Sequence, residues 1–258
     1  MTFRRVGGAA VLGMALAGGI VPGSAVTAPI LFSATSGILA AAVTFDIVAG
    51  SRLQVVLTNI AASDVLVPAD VLTGVYFSGA DALVPEAAVL AAGATVVYGG
   101  APAAGVVGGE WGFAGGIGGV PHGGTAALMS TGALHGLGHP NFPGTSLAGP
   151  AGLGGLQFGL LSAGDNAATC NGGITGSGGL VRGGMTFTFA GLPAGFALDS
   201  IGNISFQYGT STAEPNLRAG NPSSGPGLAT VTPEPTTMAL LGAGMVALGL
   251  MRRRRVGG

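Results

Sequence analysis

The sequence predicts an all-β protein: an antiparallel β-sandwich or jelly-roll-like body with long glycine-rich loops, between an N-terminal signal helix and a C-terminal transmembrane helix. The first observation is a series of short segments in which apolar and polar residues alternate, separated by Gly, Pro, Asn and Asp, as in strands joined by turns. The second is the content of 52 Gly and 15 Pro among 258 residues, which favours turns over long helices. The third is an uncharged apolar stretch beside arginines at each end, which is typical of membrane-directed segments.

Residues 1–28 have the three parts of a signal peptide. Two arginines provide a positive start, residues 6–20 are apolar, and small residues follow. Pro22 interrupts a helix, and the apolar stretch is shorter than the ~20 residues that a membrane span needs. We therefore expect export and cleavage after Ala25 or Ala28, with a buried helix or a retained membrane anchor as the alternatives.

The β-rich extracytoplasmic domain is predicted over residues 40–212. Residues 43–48 alternate between apolar and polar side chains, and residues 53–59 follow after a short turn that contains glycine, which predicts a hairpin. Further strands are predicted at residues 71–77, 94–98, 110–113, 156–160, 185–189 and 204–208. Short strands at this spacing favour an antiparallel sandwich over a parallel sheet with helices.

Two segments lack a clear strand or helix pattern. Residues 99–184 are rich in glycine with interspersed apolar residues, and we expect ordered loops across a sheet rather than disorder. Residues 213–231 contain Asn, Ser, Gly and Pro without alternation. They are predicted to be a flexible linker that lets the body stand away from a membrane.

The composition of the body argues against several classes of partner and site. Residues 28–230 carry three arginines and nine acidic residues, a net charge of −6, and the chain has no lysine. Binding to nucleic acid needs clustered cations, so we expect no nucleic-acid partner. Cys170 is the only cysteine, which excludes an intramolecular disulfide and a cysteine-rich metal cluster. No cofactor is predicted.

The most specific signal lies in residues 232–255. It consists of Pro233, Glu234 and Pro235, an uncharged apolar stretch at residues 236–251, and then Arg252, Arg253, Arg254 and Arg255. The prolines keep the tripeptide extended and outside a helix, where an enzyme can reach it. As a transmembrane helix the apolar stretch would be about 24 Å long, slightly short for a ~30 Å hydrocarbon core, and the arginines can snorkel to make up the difference. Four arginines resist translocation, so they should stay cytoplasmic and leave the body outside.

This tail resembles the sorting tail of PEP-CTERM proteins, with its three parts in the same order. The resemblance implies recognition by an exosortase at the inner membrane of a Gram-negative bacterium and cleavage near Pro233, Glu234 and Pro235. It also implies release or attachment at the cell surface and an association with exopolysaccharide and biofilm. The alternative is a plain single-span tail anchor, which predicts the same topology without cleavage.

The body is also similar to one group of exosortase-sorted surface proteins of unassigned activity. The resemblance is carried by residues 57–59, 68–75, 108–111, 206–210 and 214–215. It implies no catalytic residue.

Glu110 beside Trp111 is the pair with the clearest chemical meaning in the body. A carboxylate and an aromatic face can hold a sugar, and a Glu paired with a second carboxylate can act in glycoside hydrolysis. The favoured interpretation is structural, with Trp111 in the core of a strand and Glu110 facing water. A secreted carbohydrate-binding module or glycoside hydrolase that uses this pair is therefore the alternative to a non-catalytic surface protein.

Other combinations of polar residues are weaker. His122, His135, His139 and Asp165 could supply metal ligands, but three glycines and a proline oppose the helix that would bring the last two histidines together. Ser130, His135 and Asp165 could form a hydrolase triad, but the chain has no G-x-S-x-G motif. Loop aspartates at positions 46, 64, 70 and 81 lack the D-x-D-x-D pattern of a calcium loop. We predict no metal site.

Overall fold

The computed structural model describes residues 28–49, 51–107, 110–130 and 155–224. The predictions for the signal peptide up to residue 27, for residues 225–231 of the linker and for the tail at residues 232–255 lie outside this part of the chain. His135 and His139 lie outside it as well.

The described residues form fourteen strands. These are β1 (Ile30–Ser36), β2 (Leu39–Val48), β3 (Arg52–Asn59), β4 (Leu72–Ser78), β5 (Val84–Leu90), β6 (Thr95–Val97), β7 (Trp111–Gly115), β8 (Ala126–Ser130), β9 (Leu160–Leu161), β10 (Leu180–Arg182), β11 (Gly184–Ala190), β12 (Gly202–Tyr208), β13 (Asn216–Arg218) and β14 (Ser223–Ser224). The described residues also form one short helix, α1 (Gly172–Thr175). Asn171 caps its N-terminus, and the Asn171 side chain accepts a hydrogen bond from the Gly173 N–H at 2.9 Å. Four 3₁₀ turns lie at Pro68–Asp70, Ala103–Gly105, Pro121–Gly123 and Leu198–Ser200.

The strands form two sheets. The first sheet has the order β14-β1-β2-β3-β11-β5 and is antiparallel throughout. In the second sheet the order is β13-β12-β4-β9-β10-β6. Strand β4 pairs with β9 at Leu72 and with β8 from Gly74 to Phe77, and β7 pairs with β8. The pair β9–β10 is parallel. The all-β prediction is confirmed.

Aromatic side chains from both sheets meet in one core. Phe45 of β2 contacts Phe77 of β4 with 5.4 Å between ring centroids, and Phe113 of β7 lies 4.9 Å from Phe189 of β11. All four side chains are buried. Because each pair joins one sheet to the other, the body is a sandwich whose apolar interior stabilises the fold.

The predicted hairpin is present as β2 and β3. Val48 pairs with Arg52, and Ser51 in the turn has a φ of 55°, the left-handed conformation that tight turns require. Inward-facing residues alternate with half-exposed ones along β3, as the sequence pattern predicts.

Three predicted boundaries differ from the structure. The body begins at Ile30 rather than at residue 40, because β1 pairs along its whole length with β2. Strands β13 and β14 lie inside the predicted linker of residues 213–231, because strands of two or three residues are too short to show alternation. The strand predicted at 156–160 is reduced to β9, since Phe158 has a φ of 55° that interrupts an extended chain.

Candidate functional site

The structure buries both members of the Glu110–Trp111 pair. Trp111 is 0% exposed, and its Nε1 donates a hydrogen bond to the carbonyl oxygen of Phe158 at 3.1 Å. Glu110 is 2% exposed, so the expectation that it faces water is wrong. It precedes β7 in a turn, where its N–H donates to the Val107 carbonyl oxygen, and strand alternation does not apply there. A sugar in solvent reaches neither side chain.

Residues that carried the similarity of the body hold loops onto the sheets. The Asn59 side chain is buried, donates to the Leu160 carbonyl oxygen at 3.1 Å and accepts from the Ala61 N–H at 3.0 Å. The buried Thr73 hydroxyl donates to the Gly209 carbonyl oxygen at 2.8 Å. These groups satisfy backbone atoms that would otherwise be buried without partners.

The turn between β12 and β13 is organised by two side chains. The buried Gln207 amide donates to the carbonyl oxygens of Tyr208 and Ser211 at 2.9 and 3.0 Å. The Glu214 carboxylate accepts from the Ser211 N–H at 2.8 Å and also from the N–H and hydroxyl of Thr210. Both side chains therefore have a structural task in this turn.

The other polar residues singled out from the sequence are dispersed. His122 lies in the Pro121–Gly123 turn, and the buried Ser130 hydroxyl donates to the Gln157 carbonyl oxygen at 2.6 Å. Asp165 is buried, and its Oδ1 accepts from the Val65 N–H at 2.8 Å. In the described ranges no three His, Cys, Asp or Glu residues are close enough together to hold a metal ion.

Two of the four aspartates considered for calcium, Asp64 and Asp81, fix loops. Asp64 accepts from the Asn166 N–H at 3.1 Å and from the Thr169 hydroxyl at 3.0 Å, which ties two long loops together. Asp81 accepts from the Thr125 hydroxyl.

Cys170 lies beside a tyrosine. The Tyr98 hydroxyl contacts the Cys170 sulfur and donates to the Ala167 carbonyl oxygen at 2.7 Å. Burial first, and then the contact with Cys170, raise the pKa of Tyr98. The hydrogen bond to Ala167 ties Tyr98 to the loop that contains Cys170.

The two ends of the described chain meet at one edge of the first sheet. Ile30 pairs with Ser224, and Leu31 pairs with Ser223. The first and the last strand of the described residues are therefore neighbours in this sheet.

A groove that the sequence does not reveal lies beside this edge. It has a volume of about 380 Å³ and is formed by β1, residues 199–204 and residues 218–222. Its residues come from three distant parts of the chain, and no local motif marks them.

The C-terminal residues of the chain match a known family model. Residues 231–255 match the family model described as the PEP-CTERM protein-sorting motif. The chain carries a PEP-CTERM sorting motif. The motif supports an exported surface protein that an exosortase processes at the membrane. No curated protein and no solved structure matches the chain.

The matched range includes Pro233, Glu234 and Pro235 and also residues 236–251, for which the transmembrane helix stays a prediction. Within the part of the chain that the structure describes, no helix is both long and apolar enough to cross a membrane.

Proposed function

We propose that this chain is a non-enzymatic PEP-CTERM surface protein, whose β-sandwich is delivered to the cell surface or extracellular matrix and associates there with exopolysaccharide. The observation that carries the proposal is the sorting motif at residues 231–255, close behind a folded body. The body supplies the part that remains after processing.

The spacing between the body and the motif supports cleavage next to a folded domain. The last strand ends at Ser224, and eight residues separate it from Pro233. Fully extended, this chain reaches about 30 Å, so a membrane enzyme can reach the motif without unfolding the sandwich. The precursor then has the body outside the inner membrane and the four terminal arginines inside, and cleavage releases the body.

A non-enzymatic role accounts for the polar residues of the body. Glu110 and Trp111 are buried, and the side chains of Asn59, Thr73 and Gln207 are used to bind backbone groups. The hydrogen bonds of Asn59, Thr73 and Gln207 hold loops in place.

The test is to replace Pro233, Glu234 and Pro235 together with alanine in the protein's own host. The variant should be exported but remain in the inner membrane with its C-terminal tail intact, while the wild-type protein loses its tail and leaves that membrane. A matched control replaces Pro222 with alanine, because this proline lies outside the motif. Processing of the triple variant at the wild-type rate would contradict the proposal.

A further inference from the structure

The groove beside the chain ends has an apolar floor and a polar rim. Phe32, Ile201 and Ile204 line it and are each 3% exposed, so they form the floor as part of the core. The rim contains Asp199, Asn203, Arg218 and Asn221, all exposed. The groove has a volume of about 380 Å³. Pockets of this volume that are lined by apolar residues and a few polar groups are typical of ligand sites.

The two charged groups of the rim are available to a ligand. Arg52 is paired with Glu86, whereas neither the Arg218 guanidinium nor the Asp199 carboxylate forms an ion pair or a side-chain hydrogen bond within the described part of the chain. Asp199 lies in the 3₁₀ turn Leu198–Ser200, and Arg218 is the last residue of β13. Both therefore have backbone positions fixed by regular structure.

The side chain of Asn203 is held in place by a neighbouring turn, Pro121–Gly123. The Asn203 backbone has a φ of 52°, at an irregularity in the pairing of β12 with β4. Its Nδ2 donates to the Gly123 carbonyl oxygen at 3.1 Å, which fixes the amide and leaves the side-chain oxygen as an acceptor.

The chemistry of the groove favours a neutral polyhydroxylated ligand. One carboxylate and one guanidinium cancel in charge, and together with amides they accept from and donate to neighbouring hydroxyl groups. The net charge of −6 on residues 28–230 repels an acidic polymer.

We propose that this groove binds a neutral saccharide unit of an extracellular polymer, through the exposed side chains of Asp199 and Arg218 at its rim. The inference rests on the proposed function for the source of the polymer and identifies where the body contacts it. The residues differ from the Glu110–Trp111 pair considered from the sequence.

The test uses the protein extracted from its host and the host's extracellular polymer, separated by anion exchange into a neutral and an acidic fraction. Affinity electrophoresis through gels that contain either fraction measures the apparent Kd. The neutral fraction should retard the wild-type protein, and Arg218→Met and Asp199→Asn should each weaken binding by about tenfold or more, because each removes a charge-assisted hydrogen bond.

Two control variants separate the groove from general effects of charge. Arg52→Met removes an exposed arginine outside the groove, and Asp70→Asn removes a carboxylate in another 3₁₀ turn. Both should bind as the wild type does. No retardation by the neutral fraction, equal binding by the groove variants, or tighter binding of the acidic fraction would overturn the inference. Retardation that disappears when the polymer is treated with protease would overturn it as well, since the ligand would then be a protein.

The processing state of the same samples distinguishes this inference from the proposed function. If the wild-type protein keeps its tail but binds the neutral fraction through Arg218 and Asp199, the groove is supported and the sorting proposal fails. If the tail is removed and the neutral fraction does not bind, sorting is supported and the groove assignment fails.

Discussion

The indole ring of Trp111 in β7 lies 5.0 Å from the ring of Phe187 in β11, measured between centroids. Both side chains are fully buried, and the contact joins the second sheet to the first. Trp111 therefore belongs to the packing between the sheets. An aromatic pair of this kind adds to the stability that the burial of apolar area provides.

The position of Trp111 predicts the fluorescence of the native protein, because the chain has one tryptophan. The emission should be shifted to short wavelength and protected from acrylamide until a denaturant unfolds the body. Added mono- or polysaccharide should leave the spectrum unchanged. A native spectrum that acrylamide quenches as strongly as the unfolded one would contradict the burial of this side chain.

The close approach of Gly79 to Ser200 predicts a large effect of one added methyl group. A Cβ at Gly79 would lie 2.2 Å from the Ser200 carbonyl oxygen, whereas a Cβ at Gly93 would meet nothing within 4 Å. Gly79 and Gly93 both have positive φ, 92° and 79°, so alanine introduces similar backbone strain at either position. Gly79→Ala should lower the free energy of unfolding by at least about 2 kcal/mol more than Gly93→Ala. Equal urea midpoints for the two variants would contradict the contact.

The hydrogen bonds of Gln207 predict that this side chain stabilises the turn after β12. Gln207→Ala should lower the free energy of unfolding by about 2–3 kcal/mol, because it leaves buried carbonyl groups without donors. Gln54→Ala in β3 is the control, since Gln54 is only partly buried. Chemical denaturation of both variants measures the difference, and a loss at Gln207 no larger than at Gln54 would show that the network is dispensable.

The three tyrosines predict a loss of stability at alkaline pH. Burial raises the pKa of Tyr76 to about 12 and also raises the pKa of Tyr98 and Tyr208. An unfolded tyrosine ionises near pH 10, so above this pH the unfolded state loses protons that the folded state keeps. The free energy of unfolding should therefore fall as the pH rises from about 10 to 12.

Tyr76→Phe tests the cause of this alkaline effect. The variant should lose less stability than the wild type between pH 9 and pH 11, as measured by urea unfolding, because one ionising group is removed. An unchanged pH dependence in Tyr76→Phe would show that burial of this hydroxyl is not responsible.

The parts of the fold that the sequence predicted are those with local patterns. The hairpin of β2 and β3 shows alternation and a turn, and β4, β11 and β12 each have enough apolar residues to be recognised. Six strands were missed, namely β1, β5, β8, β10, β13 and β14. β5 contains Pro85 and Glu86, β8 is buried at every position and does not alternate, and β10 has three residues.

The sorting motif could be predicted from the sequence, whereas the groove could not. The PEP-CTERM tail is a contiguous motif, so its order of residues is sufficient to predict it. The groove joins Phe32 to Asp199 and Arg218, and only the folded chain brings these residues together. Glu110 was misplaced because the alternation that puts Trp111 inside does not continue into the turn before β7.

Sorting is tested by the intact mass of the native protein from its host, with mapping of the C-terminal peptide and fractionation of the envelope. We expect a mature chain that begins near Val26 or Pro29, ends within residues 233–237 and lies outside the inner membrane. A chain in the inner membrane that still carries Arg252, Arg253, Arg254 and Arg255 would contradict sorting and would leave a plain anchored protein.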